Sequence, residues 1–141
     1  SQALLSGAEL VLHIEDGLPK VNCDGQQLKQ VFINLIKNGI EAMSGKTGSI
    51  TVSAGKKDKH IVVSVKDEGI GMTEKQMKQL GEPFFTTKQK GTGLGMLMTF
   101  KIIENHNGQV QIESEVGKGT TIHVTLPISN VSNSKNRKVG E

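Results

Sequence analysis

The chain has 141 residues, a length that fits one domain. It carries a formal net charge of +3 from sixteen Lys and a single Arg against fourteen acids, and it has four Phe but no Trp or Tyr. A lone Cys23 excludes an internal disulfide framework and a cysteine zinc site, no apolar run reaches membrane-span length, no signal-peptide pattern stands at the N-terminus, and the lack of clustered Arg or stacking aromatics argues against a nucleic-acid reader.

Residues 9–16 alternate as a strand with Leu10, Leu12 and Ile14 on one face, and Asp16-Gly17 and Pro19 break it. A helix is predicted over 25–43, with Asp24 as N-cap and Gln27 three residues on, a variant of the capping box. A loop spans Gly45 to Gly48. Ile50, Val52 and Ala54 alternate, as do Ile61, Val63 and Val65, and the turn at 56–59 joins them in a hairpin. Thr73-Glu74-Lys75-Gln76 reads as a capping box that opens a short helix, closed by Gly81 and Pro83. Residues 81–95 are rich in Gly and Lys and show no period; so long an irregular stretch as 81–93 in a compact domain points to function. A second long helix is predicted from Leu94 to Asn107, with Gly108 ending it. Residues 110–114 and 120–126 form another hairpin around 116–119, with Ile122, Val124 and Leu126 on one face. The polar segment 129–141 is predicted to be a disordered tail or linker.

Three segments carry chemistry. On the first helix, Asn34, Lys37, Asn38 and Glu41 share one narrow face, opposite Leu28, Val31, Phe32, Leu35, Ile36 and Met43. A solvated stripe would more often use Lys, Glu or Gln, because Asn is a poor helix former. The alternative is that an Asn amide oxygen serves as a neutral, hard ligand for Mg²⁺. At the end of the second hairpin strand, Asp67-Glu-Gly69-Ile70-Gly71 reads either as a turn in which Asp bonds its own backbone or as a base pocket. There a carboxylate would accept from an exocyclic amine, selecting adenine over guanine, and Gly would let the backbone approach a planar ring. Gly91-Thr92-Gly93-Leu94-Gly95 precedes the second helix, whose free N–H groups and positive end suit a polyphosphate. It is neither a Walker A loop nor the dinucleotide fingerprint. Lys88 and Lys90 fit phosphate contacts or a solvated loop, and Phe84 and Phe85 fit a latch on the core or a partner-facing patch.

Taken in order, Asn34-Leu-Ile-Lys-Asn38, Asp67-x-Gly69-x-Gly71, Glu82-Pro-Phe-Phe-Thr-Thr-Lys88 and Gly91-Thr-Gly-Leu-Gly95 resemble the N, G1, F and G2 boxes of sensor histidine kinases. The run from Ile103 through Gly108 to Gly117-Lys-Gly-Thr120 and Leu126-Pro127 extends the resemblance over about residues 5–127, and the variant is similar to sporulation-type kinases of Gram-positive bacteria. The resemblance implies an ATP-binding catalytic domain over 1–128, an α/β two-layer sandwich with a mixed, mostly antiparallel sheet and helices on one face. It implies Asn38 as the Mg²⁺ ligand with Asn34 in support, Asp67 on the adenine amino group with Thr120 nearby, and Gly69, Ile70 and Gly71 along the base. It further implies a lid over about 72–92. Nucleotide contacts would come from Lys37, Met72, Phe84, Thr87, Lys88, Lys90, Gly91, Thr92, Gly93, Leu94, Gly95 and Met96. Met96 stands where Leu is commoner, Glu41 where several relatives carry a phosphate-binding Lys, and the lid has no Arg.

Kinases of this kind transfer the γ-phosphoryl group to a histidine on a separate helical hairpin, usually followed by Glu or Asp. His13-Ile, His60-Ile, His106-Asn and His123-Val do not match, so all four are read as structural, and the chain as the catalytic part of a longer kinase. The implied partners are that phosphoacceptor hairpin and, through it, a response regulator. Nucleic acid and direct membrane contact are not implied. The domain is expected to be cytoplasmic and monomeric. Alternatives on the same fold are an anti-sigma-type serine kinase, which the Phe-Phe-Thr-Thr-Lys box argues against, a gyrase- or chaperone-like ATPase, which would place a water-activating acid where Asn34 stands, and a non-catalytic nucleotide sensor.

Overall fold

The computed structural model describes residues 8–43, 47–80 and 94–128. Five strands, β1 (Ala8–Ile14), β2 (Gly48–Lys57), β3 (His60–Lys66), β4 (Gln109–Glu115) and β5 (Gly119–Pro127), form one sheet in the order β1-β2-β3-β5-β4. β1 runs parallel to β2, and the other pairs are antiparallel, so the sheet is mixed and mostly antiparallel, as expected. Three helices, α1 (Gly25–Ala42), α2 (Glu74–Gln79) and α3 (Leu94–Asn105), complete the described fold.

The helices cover one face. α1 lies across β2, β3 and β5, and α3 packs on α1 and β4. The core between the layers follows the two periods: Leu28, Val31 and Leu35 from α1, Met96 and Ile103 from α3, and the alternate residues Ile50, Val52, Val65, Ile122, Val124 and Leu126 from the strands. Burying this apolar surface drives the layers together. β1 keeps Leu10, Leu12 and Ile14 on one face, as expected, but at the margin of the core. Its even-numbered face is buried only at Ala8, whereas Leu10, Leu12 and Ile14 are exposed by about half, because they line an edge strand that α1 does not reach.

Local signals fix the element ends. Asp24 Oδ1 accepts from the N–H groups of Gln26 and Gln27, as an N-cap should. The Asp24 N–H, which a capping box would give to Gln27, donates instead to His106 Nε2 at 2.9 Å, tying the start of α1 to the end of α3. The Thr73 capping box on α2 is complete with Gln76. α3 ends at Asn105, two residues earlier than expected. Asn107 takes the left-handed conformation (φ 60°), and the Gly108 N–H returns to Ile103 O and the Asn107 N–H to Glu104 O. This is a Schellman cap with Asn at the left-handed position, so the expected terminator Gly108 follows it by one residue. The predicted closure of α2 by Gly81 and Pro83, the 81–93 segment and the 129–141 tail lie outside the described residues.

Candidate functional site

Asp67 is the centre of the site. It follows β3, and its side chain is buried, 7% exposed, against α1. Gly39 makes that approach possible: a Cβ there would come within 3.3 Å of Asp67 Cβ and 3.0 Å of Ile50 Cδ1. Asp67 Oδ1 accepts from the N–H of Gly69 (2.8 Å) and of Thr120 (3.2 Å). The first bond is the turn that the sequence allowed, and the second comes from the far hairpin. Oδ2 has no hydrogen-bond partner among the described residues, and it is not sealed from solvent. Burial raises the Asp67 carboxyl above its ordinary value, against the pull of the Gly69 and Thr120 N–H groups. The result is a fixed, partly desolvated carboxylate with one oxygen committed and one available.

The glycines frame this acid through backbone packing. A Cβ at Gly69 would strike Ala42 O, one at Gly71 would strike Glu115 O, and one at Gly119 would strike Asp67 O. Gly71 (φ 72°) also has a left-handed backbone. The freed space lets the 69–71 loop bond both neighbours: Ile70 N–H to Ala42 O (3.1 Å), and Gly117 N–H to Ile70 O (2.8 Å). The base-pocket alternative in the sequence gives Gly69 and Gly71 to a ring's approach. In the structure their first role is contact with the chain's own backbone. Ile70 stands exposed beside Asp67, and Met72 N–H donates to Ser114 Oγ (2.8 Å), which also donates to Gly119 O and pairs with Thr120 Oγ1 at 2.7 Å.

The polar stripe of α1 lies next to the start of α3. Asn34 and Asn38 are half-buried, and Lys37 and Glu41 are exposed. Asn34 Nδ2 donates to Oγ1 of buried Thr99 (3.1 Å), and a Cβ at Gly95 would fall 2.8 Å from Asn34 Oδ1. The amide oxygen therefore lies beside the first turn of α3, where free N–H groups favour it. Leu94 opens α3, and Met96 lies in the core, as a Leu replacement would. Phe84, Thr87, Lys88, Lys90, Gly91, Thr92 and Gly93 lie outside the described residues, as does most of the expected lid beyond Leu80. The described residues hold no cluster of three or more His, Cys, Asp or Glu side chains. The amide oxygens of Asn34 and Asn38 are neutral, hard donors that could contribute to holding a cation such as Mg²⁺, which takes other ligands from substrate phosphates and water.

Two site residues escaped the sequence reading, although each left a signal. Thr99 is a hydroxyl on the buried Met96–Ile103 face of α3, and Ser114 is a hydroxyl on the inward face of β4, after Val110 and Ile112. A polar group at an apolar period position calls for a partner.

A sequence model of the family described as histidine kinase-, DNA gyrase B-, and HSP90-like ATPase matches residues 23–130. Sporulation kinase E of Bacillus subtilis (strain 168) is 52% identical over 129 residues, covering 91% of this chain and 17% of that protein. Sporulation kinase C of the same organism is 54% identical over 112 residues, covering 79% of this chain and 26% of the relative. The chain thus spans roughly a sixth to a quarter of the length of these curated relatives. Among solved structures, the nucleotide-free catalytic domain of histidine kinase ThkA superposes with a TM-score of 0.80 at 31% identity, covering 90% of this chain and 83% of that one.

Proposed function

The chain belongs to the histidine kinase-, DNA gyrase B-, and HSP90-like ATPase family, and from that membership we propose that it binds Mg-ATP and donates the γ-phosphoryl group to a histidine on a separate dimerisation and phosphoacceptor domain. The observation that carries the reading is Asp67: a buried carboxylate, held by two backbone N–H groups, with Oδ2 left to accept from the adenine amino group. Guanine offers a carbonyl oxygen there and would meet it oxygen to oxygen.

Asn38 would hold Mg²⁺, with Asn34 in support beside the first turn of α3. Bound there, the cation would offset charge on the triphosphate. Ile70 would lie along the base. Phosphoryl transfer rests on positioning and electrostatics, so a domain that orients the nucleotide while a partner supplies the nucleophile is chemically sufficient. The partner would be the kinase's own helical hairpin and, after it, a response regulator; no helix of the described residues is long and apolar enough to cross a membrane.

Calorimetric titration with ATP, ADP and GTP, with and without Mg²⁺, tests the binding half. Saturable binding of the adenine nucleotides, weak or absent for GTP, is expected, and equal binding of ATP and GTP would overturn the assignment of Asp67. With γ-labelled ATP the chain alone is expected to form no acid-labile phosphohistidine, and to pass phosphate to a supplied hairpin from a related kinase.

A further inference from the structure

The open face of the sheet, away from the helices, carries a polar row that the nucleotide reading leaves unused. His13, Ser53, Ser64, His123 and Gln111 stand in register across all five strands. Within it, Ser64 Oγ lies 2.6 Å from His123 Nδ1, and His123 Nε2 lies 3.0 Å from Glu113 Oε1. A carboxylate only accepts, so Nε2 carries the ring proton of the neutral imidazole and Nδ1 is left as the acceptor. Ser64 is then the donor. A hydroxyl, a base oriented by an acid, and hydrogen-bond reach between them are the parts of an activated nucleophile. All three side chains line one groove of about 730 Å³.

We propose that Ser64 is a reactive hydroxyl that accepts an acyl group from small activated carboxylic esters lodged in this groove. His123 is the general base, and Glu113 is a positioning residue that fixes the ring. In the step, Ser64 Oγ forms a bond to the carbonyl carbon as its proton passes to His123 Nδ1. The ester C–O bond breaks, the alcohol component leaves as its anion, and His123 returns its proton to water. β3 and β5 each pair on both sides, so the N–H groups of the strands that carry Ser64 and His123 are committed to the ladders and give an oxyanion no support. The chemistry is therefore confined to esters with good leaving groups and to one acyl group per chain, without rapid turnover.

The test uses p-nitrophenyl acetate on the full chain, read by peptide mass mapping over time. Acetylation of Ser64 ahead of every other hydroxyl is expected. His123→Ala should slow it by about a hundred-fold, the scale of a lost general base. Glu113 is exposed, so Glu113→Gln should keep the fold and slow the reaction by about ten-fold; it decides the matter should His123→Ala fail to fold. Acetyl groups confined to lysines and the N-terminus, or equal Ser64 rates in the parent and Glu113→Gln, would overturn the proposal. Neither outcome bears on ATP binding.

Discussion

Asp67 makes opposing demands on stability and on binding. Its carboxyl is raised in the folded state, so the fold binds that proton more tightly than the unfolded chain does. The favourable contribution is full below the ordinary value of 3.8 and is lost as pH rises through the raised one. Asp67→Asn lacks this loss. Relative to the parent, its urea midpoint should improve as pH climbs above about 4, a trend that unfolding curves at several pH values would reveal. Binding has the reverse sign. The ionised form is the better acceptor, and an Asn amide would turn its N–H₂ toward the adenine amine. Asp67→Asn should therefore weaken ATP by roughly ten- to a hundred-fold in the same calorimetry, the scale of a lost charge-assisted hydrogen bond. Gly71 is the second sensitive residue. Gly71→Ala combines a left-handed backbone with a clash against Glu115 O, and a loss of about 1–3 kcal/mol or more is expected from denaturant unfolding.

Between elements, side-chain hydrogen bonds add to the apolar core and the strand ladders. His106 makes one such joint: Nε2 accepts from Asp24 N–H, and Nδ1 meets Ile102 O at 2.7 Å, so one ring closes the end of α3 and the start of α1. His106→Ala should cost about 1 kcal/mol, because water can partly replace the exposed Asp24 bond; a thermal scan would show the loss. The sequence placed His106 near a helix C-terminus but held no sign of its partner, which lies 82 residues away. Asn34 and Thr99 form a second joint. The helix periods, the two hairpins and the α2 capping box were legible, since each depends on neighbours within a few residues. The shortened α3 and the exposed face of β1 were not. The first turned on which of Asn107 and Gly108 took the left-handed position, the second on how far α1 reached across the sheet.

At the scale of the whole molecule, the candidate site is a meeting of four segments: α1, the loop after β3, the start of α3 and the β4–β5 hairpin. A ligand that bridges them binds only the folded chain and must stabilise it. Mg-ATP at about a hundred times its dissociation constant should add about 2.7 kcal/mol, or roughly 5–10 °C in melting temperature, and GTP at the same concentration should add little. A melt unchanged by Mg-ATP would argue against the nucleotide reading as a whole.

The sequence by itself determined where helix and strand lie, which residues of α1 and of the two hairpins face the core, and the order of motifs by which the family is legible, because periodicity and capping are local properties of the chain. The tertiary structure decided that β1 joins β2 in parallel at an edge, that glycines 39, 69, 71 and 119 let backbone and side chains close around Asp67, and that Ser64, His123 and Glu113 share one groove. Those facts depend on strand register and on the approach of segments far apart in sequence, which no local pattern encodes.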